Sequence, residues 1–277
     1  MEWNDELMEI YQRQILLKDV GVSGVERILD SKILVVGAGA IACSALQYLA
    51  STGVGNIGIL GDAVVENADI STQILYTFKD VGKSKLSVLK SRLKSQNPHL
   101  SVKTYKDSVT PQNFATLVKI VKSYDIVLDC SDSFVPKMLV NAVCIAANAT
   151  LISGGVVDLS LQILSVKPRI SACYSCIFGV SKGFLDSILG DSKGSKNTES
   201  KSCENAQSSG PTCAKSAMIG SVAGISGSMM ATEAIKILCD IKTPLFNNFL
   251  TFHTREMKGV NETIERKENC PVCGDSK

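Results

Sequence analysis

Two sets of residues in this chain are spaced for chemistry: glycines at the end of an apolar run, and cysteines in matched pairs. Lys32–Ala45 reads KILVVGAGAIACSA, an apolar strand, a glycine turn and the start of a helix. In Gly37-x-Gly39-x-x-Ala42 the glycines let the backbone turn sharply and approach a ligand with no Cβ in the way. Amides opening the next helix would point at a bound phosphate, and the helix dipole favours negative charge there. Such a turn is a phosphate cradle, shared by nucleotide and dinucleotide folds. Cys173-x-x-Cys176 and Cys270-x-x-Cys273 have the spacing that clamps one tetrahedral zinc ion, with sulfurs at about 2.3 Å. A four-cysteine shell leaves no ligand position open, so the ion would be structural and would fasten the tail to the body. Two redox dithiols are the competing reading; paired hooks in a reducing compartment favour zinc.

An alternating βα pattern must hold these groups. Before the first strand, Asp5–Leu29 carries helical spacing around Tyr11-Gln12-Arg13-Gln14-Ile15-Leu16-Leu17. After the glycine turn a helix is expected over Ile41–Ser51 and a strand over Ile57–Leu60, ending at Gly61-Asp62, where a nucleotide fold often keeps an acidic residue for the ribose. A polar loop containing Asp69 and Gln73 leads to Gly82-Lys83-Ser84-Lys85 and a helix over Leu86–Ser95. Strands follow at Ser101–Tyr105 and Tyr124–Asp129. The second ends in Asp129-Cys130-Ser131-Asp132, carboxylates that would face the same crevice as the glycine turn, because parallel sheets bind ligands at strand carboxyl ends. Then come a helix over Lys137–Asn148, strands at Leu151–Ser153 and Leu161–Val166, a long helix over Ala217–Leu238, and tail strands near Phe249–His253 and Thr263–Arg266. Lys182–Thr212 is rich in Ser, Lys, Gly and Asn and is expected to be a mobile loop.

This pattern predicts an α/β protein, a Rossmann-like nucleotide-binding sheet flanked by helices with a carboxyl-terminal zinc-clamped β extension. Residues 1–30 form a helical arm and 31–155 the nucleotide-binding core. Residues 156–277 form the substrate-binding, zinc-clamped part of the same domain, including loop 182–212. With 277 residues, 45% of them apolar, the chain can bury a sizeable core. A net charge of +2 with no basic stripe argues against a nucleic-acid partner. No apolar run reaches the roughly 18–20 residues that span a bilayer, and the acidic amino terminus is unlike a targeting peptide. A soluble, cytoplasmic protein is therefore expected. Cys43, Cys130, Cys144 and Cys239, each alone in an apolar segment, read as small buried hydrophobes.

The order of these motifs resembles the MoeB/ThiF/HesA family, relatives of ubiquitin-activating enzymes. The resemblance runs from Tyr11-Gln12-Arg13-Gln14-Ile15-Leu16 through Gly37–Ala42, Val81–Lys85 and Asp129–Asp132 to Ala231-Thr232-Glu233-Ala234-Ile235-Lys236 and both cysteine pairs. It implies adenylation of the carboxyl-terminal glycine of a ubiquitin-like or sulfur-carrier protein, with ATP and Mg2+ as cofactors, Zn2+ at the cysteines, and pyrophosphate as product. It also implies a homodimer, or a heterodimer with a more complete relative, in which Arg13 reaches the partner's site. Lys85 would hold the phosphates and Asp132 the magnesium. Gly37, Gly39, Ala42 and Gln73 would line the nucleotide, with Asp62 a candidate ribose anchor. Cys213 or Cys203 would carry the activated partner.

The chain departs from that family pattern in the loop after the second strand. Gly61 and Ala63 stand where the family writes two aspartates, Asp69 and Ile70 where it writes Asn-Leu, and Thr72 where it writes arginine; Ser133 stands where relatives often have asparagine. Losing a cation and adding a carboxylate beside a triphosphate both oppose nucleotide binding. A binding-only pseudoenzyme and a peptide-modifying adenylyltransferase are therefore alternatives. An NAD-dependent oxidoreductase would share only the glycine turn and perhaps Asp62.

Overall fold

The structure, a computed structural model, describes residues 3–179, 217–242 and 244–275. Eight strands form one sheet: β1 (Lys32–Val36), β2 (Asn56–Gly61), β3 (Ser101–Lys106), β4 (Ile126–Asp129), β5 (Thr150–Val157), β6 (Ser160–Val166), β7 (Asn248–His253) and β8 (Lys258–Thr263). Their spatial order is β3-β2-β1-β4-β5-β6-β7-β8. The first five run parallel, and β6, β7 and β8 join antiparallel. Chain order therefore reverses between β1 and β4, which opens a crevice at their carboxyl ends.

The helices are α1 (Asp5–Ile15), α2 (Gly21–Asp30), α3 (Ala40–Thr52), α4 (Lys85–Gln96), α5 (Phe114–Val121), α6 (Phe134–Ala147), α7 (Tyr174–Phe178) and α8 (Gly220–Leu238). Period-two alternation assigns the sheet's side chains to two cores. Ile33 and Val35 lie in one with Leu46 and Leu49 of α3 and Met230 and Ala234 of α8, whereas Leu34 and Val36 lie in the other with Leu117 of α5 and Met138 of α6. Both faces are covered, which is why the central strands are apolar throughout. Helix α8 lies directly on α3: a Cβ on Gly227 would overlap Ser44 Oγ and the Ile41 carbonyl. No helix of the described residues is long and apolar enough to cross a membrane.

Several elements differ from sequence expectation. The expected tail strand Thr263–Arg266 is instead β8 at Lys258–Thr263, because a tight turn pairs His253 with Lys258 and fixes the register from that end. Helix α6 begins at Phe134 rather than Lys137, Pro136 being accepted in the first turn, where an amide has no helical partner. The long helix begins at Gly220 rather than Ala217, and α5 was not expected. The loop expected over 182–212, with Cys203, and the nearby Cys213 lie outside the described residues. Cys43, Cys130, Cys144 and Cys239 are all buried, as expected.

Candidate functional site

The glycine turn closes β1 against the end of β4. Gly37 has φ +102°, and a Cβ there would stand 2.8 Å from the Cys130 carbonyl oxygen, so only glycine fits both the conformation and the space. Gly39 caps α3, and a side chain on it would meet the Asp132 carboxylate at 3.5 Å. The helix amides and Asp132 thus flank the same opening. Ala42 is fully buried in the first turn of α3.

The end of β4 is held by a buried network. Asp129 accepts from Ser131 Oγ, from the Ser131 amide at 3.0 Å and from Ser153 Oγ at 2.9 Å. It also pairs with Lys137 Nζ at 3.4 Å, and that ammonium donates to the Gly154 carbonyl at 2.6 Å. Asp129 is therefore occupied within the fold, leaving Asp132 as the open carboxylate at the crevice mouth. Partial desolvation at the crevice mouth raises the Asp132 carboxyl pKa above the usual range; Lys137 and Lys85 pull it down, and Asp129 and Asp69 push it up.

On the β2 side, the excursion 62–84 folds back over the crevice. Tyr76 Oη donates to the Ala38 carbonyl at 2.9 Å, pinning the excursion to the glycine turn. Lys85, at the start of α4, is buried. Its ammonium lies 2.8 Å from Asp69 Oδ2, 3.0 Å from Gln73 Oε1 and 5.6 Å from the centre of the Tyr76 ring. Gln73 Nε2 donates back to Asp69 Oδ1, and the Glu66 amide donates to Asp69 Oδ2 at 2.8 Å. Asp69, Gln73 and Lys85 form a closed ring of hydrogen bonds. Gly61, not Asp62, faces the glycine turn, 3.8 Å from Ala38 by its Cβ direction. The exposed Asp62 carboxylate lies 3.8 Å from Lys106 of the outer strand β3.

Arg13 sits in the last turn of α1, exposed and without an ion pair among the described residues. Two residues away, Tyr11 packs on Gly53, the cap that ends α3. Helix α3 has 13 residues. At about 1.5 Å per residue that places Gly53 roughly 20 Å from the glycine turn. An arginine side chain falls far short of that.

The two cysteine pairs meet. Cys173 Sγ is 3.9 Å from Cys176 Sγ and 3.8 Å from Cys270 Sγ, and Cys176 Sγ is 3.4 Å from Cys273 Sγ. All four are buried and lie within 4.8 Å of one another. Sulfurs bound at about 2.3 Å to one tetrahedral ion stand about 3.8 Å apart, so the set fits one metal ion. The Lys267 amide donates to Cys176 Sγ at 3.5 Å, as a bound thiolate requires. Glu233 of the α8 segment is buried, accepting from Ser165 Oγ at 3.0 Å and from the Leu245 amide; it anchors the chain that leads to β7.

Gly37, Gly39, Lys85 and Asp132 lie around the β1/β4 crevice, and the four cysteines meet in a separate cluster, the two groupings read from the sequence. Sequence reasoning did not foresee Tyr76, Lys137, or the pairing of Asp69 with Lys85. The i, i+4 spacing of Asp69 and Gln73 could have signalled their own hydrogen bond, but not the pairing of Asp69 with Lys85.

An α/β sheet with a glycine-turn crevice at the switch point and a four-cysteine cluster at its antiparallel end define a Rossmann-like protein whose tail returns to the body at the cysteines. The ThiF family profile matches residues 11–272, and the chain belongs to that family. It is 31% identical over 280 residues to a sulfur carrier protein adenylyltransferase of Thermus thermophilus, covering 99% of this chain and 94% of the relative. It is 30% identical over 274 residues to the sulfur carrier protein ThiS adenylyltransferase of Escherichia coli, covering 99% and 98%. Among solved structures, E. coli MccB with MccA-N7isoASN superposes with a TM-score of 0.79 at 24% identity, covering 96% of this chain and 75% of MccB. That likeness concerns the fold.

Proposed function

We propose that the protein uses ATP to adenylate the carboxyl terminus of a ubiquitin-like protein of the sulfur-carrier type. The observation that carries this reading is the convergence of the glycine turn, Lys85 and Asp132 on one crevice at the β1/β4 switch point. In the reaction a carboxylate oxygen of the carrier's terminal glycine attacks the α-phosphorus of ATP. The bond from that phosphorus to the bridging oxygen breaks, and pyrophosphate leaves. Gly37 and Gly39 admit the phosphates to the backbone, and Lys85 offers charge to them. Asp132 would hold magnesium, which when bound supplies positive charge against the developing anion.

Arg13 would act on the crevice of a second copy, since its helix docks through Tyr11 on Gly53, roughly 20 Å along α3 from the glycine turn. Met8, Ile10, Leu16, Leu17 and Val22 are exposed around it, a surface suited to a partner. Zinc is the ion best matched to four buried thiolates. The binding-only reading draws on Asp69 and Thr72, but the relatives cited above are named as adenylyltransferases. The deciding experiment is pyrophosphate release from ATP and magnesium by the zinc-loaded protein, with a panel of carriers ending in glycine. Release that requires both a carrier and Lys85 supports adenylation. Absence of release with every carrier supports the binding-only reading.

A further inference from the structure

The charges around the crevice do not suit a bare polyphosphate. Those that bear most on Asp132 are Lys137, Lys85, Asp129 and Asp69. With Asp132 itself, three carboxylates face two lysines, and neither lysine is free. Lys137 is committed to Asp129 and the Gly154 carbonyl. Lys85 is committed to Asp69 and Gln73. Asp69 has its carboxylate filled: Oδ2 takes Lys85 and the Glu66 amide, and Oδ1 takes Gln73. The Asp69–Lys85 pair is held in a low-dielectric place, at 13% and 9% side-chain exposure. There an ion pair is strong, and an abandoned carboxylate is costly.

Resting on the nucleotide reading of the crevice, we propose that Asp69 is an internal rival of the nucleotide phosphates for Lys85. It makes the crevice selective for nucleotide already carrying its divalent cation. A phosphate that takes Lys85 for itself must strand Asp69 beside it. A phosphate that shares Lys85 must sit next to Asp69. Both routes add repulsion that grows with the negative charge of the ligand, so metal-free ATP is excluded more strongly than magnesium-ATP. Thr72 removes the nearby cation that could have offset this, so the effect of Asp69 is felt in full.

The test is titration calorimetry of the zinc-loaded full chain with ATP, with and without magnesium, comparing wild type, Asp69→Asn and Asp69→Asn/Lys85→Met. Losing one charge-assisted partner of Lys85 is expected to tighten magnesium-ATP binding about tenfold or more. It should also make metal-free ATP binding measurable, and Lys85→Met should cancel both gains. Asp69→Ser, which keeps a hydroxyl for the Glu66 amide, repeats the comparison if the asparagine disturbs the loop. Equal or weaker magnesium-ATP binding by the Asp69 variants overturns the rivalry while leaving the adenylation reading standing. A gain that survives Lys85→Met also overturns it, since the effect would then not run through the lysine. Binding by the Asp69 variants alone supports the rivalry and removes unaided adenylation by the wild-type chain. Binding by none of the proteins overturns both.

Discussion

The ring of Tyr11 lies on Gly53, where even a methyl group would come within 2.7 Å of the ring. This contact docks α1 at the amino-terminal edge of the sheet, behind the crevice instead of over it. Arg13, in the last turn of α1, thus starts near the end of α3 that lies away from the glycine turn, and in the proposed reading a complete site takes two chains.

Complementation checks this division. Arg13→Ala and Asp132→Asn should each abolish carrier-dependent pyrophosphate release. Mixed after subunit exchange, they should recover about a quarter of wild-type activity, because half of random dimers are mixed and each has one intact site. No recovery in a mixture shown to contain mixed dimers would place Arg13 outside the chemistry.

Lys137 is a second target, as the sole cation among the described residues paired with the fully buried Asp129. Lys137→Met leaves that carboxylate unpaired and should destabilise the protein by about 3–5 kcal/mol in denaturant unfolding. Asp129→Asn added to it should restore a substantial part, since the stranded charge is gone. A double variant no better than the single would show that the Gly154 contact dominates.

Metal analysis should find one zinc ion per chain. Chelation, or Cys270→Ser, should lower the melting temperature and expose β7 and β8 to proteolysis before the parallel strands. Both halves of the sheet melting together would contradict a local clamp.

Asp80 gives a pH signature. Its carboxylate accepts from Thr77 Oγ1 at 2.7 Å, the Thr77 amide at 3.0 Å, Arg92 at 3.1 Å and Lys83 at 3.3 Å. The Thr77 hydroxyl does most to hold its pKa well below the usual carboxylate range, against the opposing effect of burial, with the Thr77 amide, Arg92 and Lys83 adding to the depression. A depressed folded pKa stabilises above the unfolded value of about 3.9, and that contribution fades as pH falls from there toward the folded value. Asp80→Asn should therefore cost about 1–3 kcal/mol at pH 7, and less at each step below about pH 4. A pH-independent cost would mean that packing, not charge, is lost.

Much of this architecture is legible in the residues because one cause dominates at each place. Buried strands need apolar runs, the turn after β1 needs glycine, and a four-sulfur site needs its two pairs. Elsewhere causes compete. Helix α5, FATLVKIV, is short and rich in residues suited equally to strands; Leu117 and Val121 settle the matter by filling the core against α6. Strand β8 is exposed along its whole length, so no alternation marks it and the turn alone sets its register. Position 62 shows the finest limit: an acid stood one residue from the expected place, and the pleat turned it toward Lys106. The pairing of Asp69 with Lys85 depended on a loop path that no local pattern encodes.

The cysteine cluster joins positions 97 apart in the chain, Cys173 to Cys270. A bound ion would make everything between them a closed ring. The entropy of closing a ring grows only with the logarithm of its length, about 0.6 kcal/mol for each doubling. The interval can therefore lengthen by whole elements, α8 among them, at little thermodynamic expense. The length of the segment between the two cysteine pairs is thus nearly free to the folded state, while the two ends stay fixed to each other.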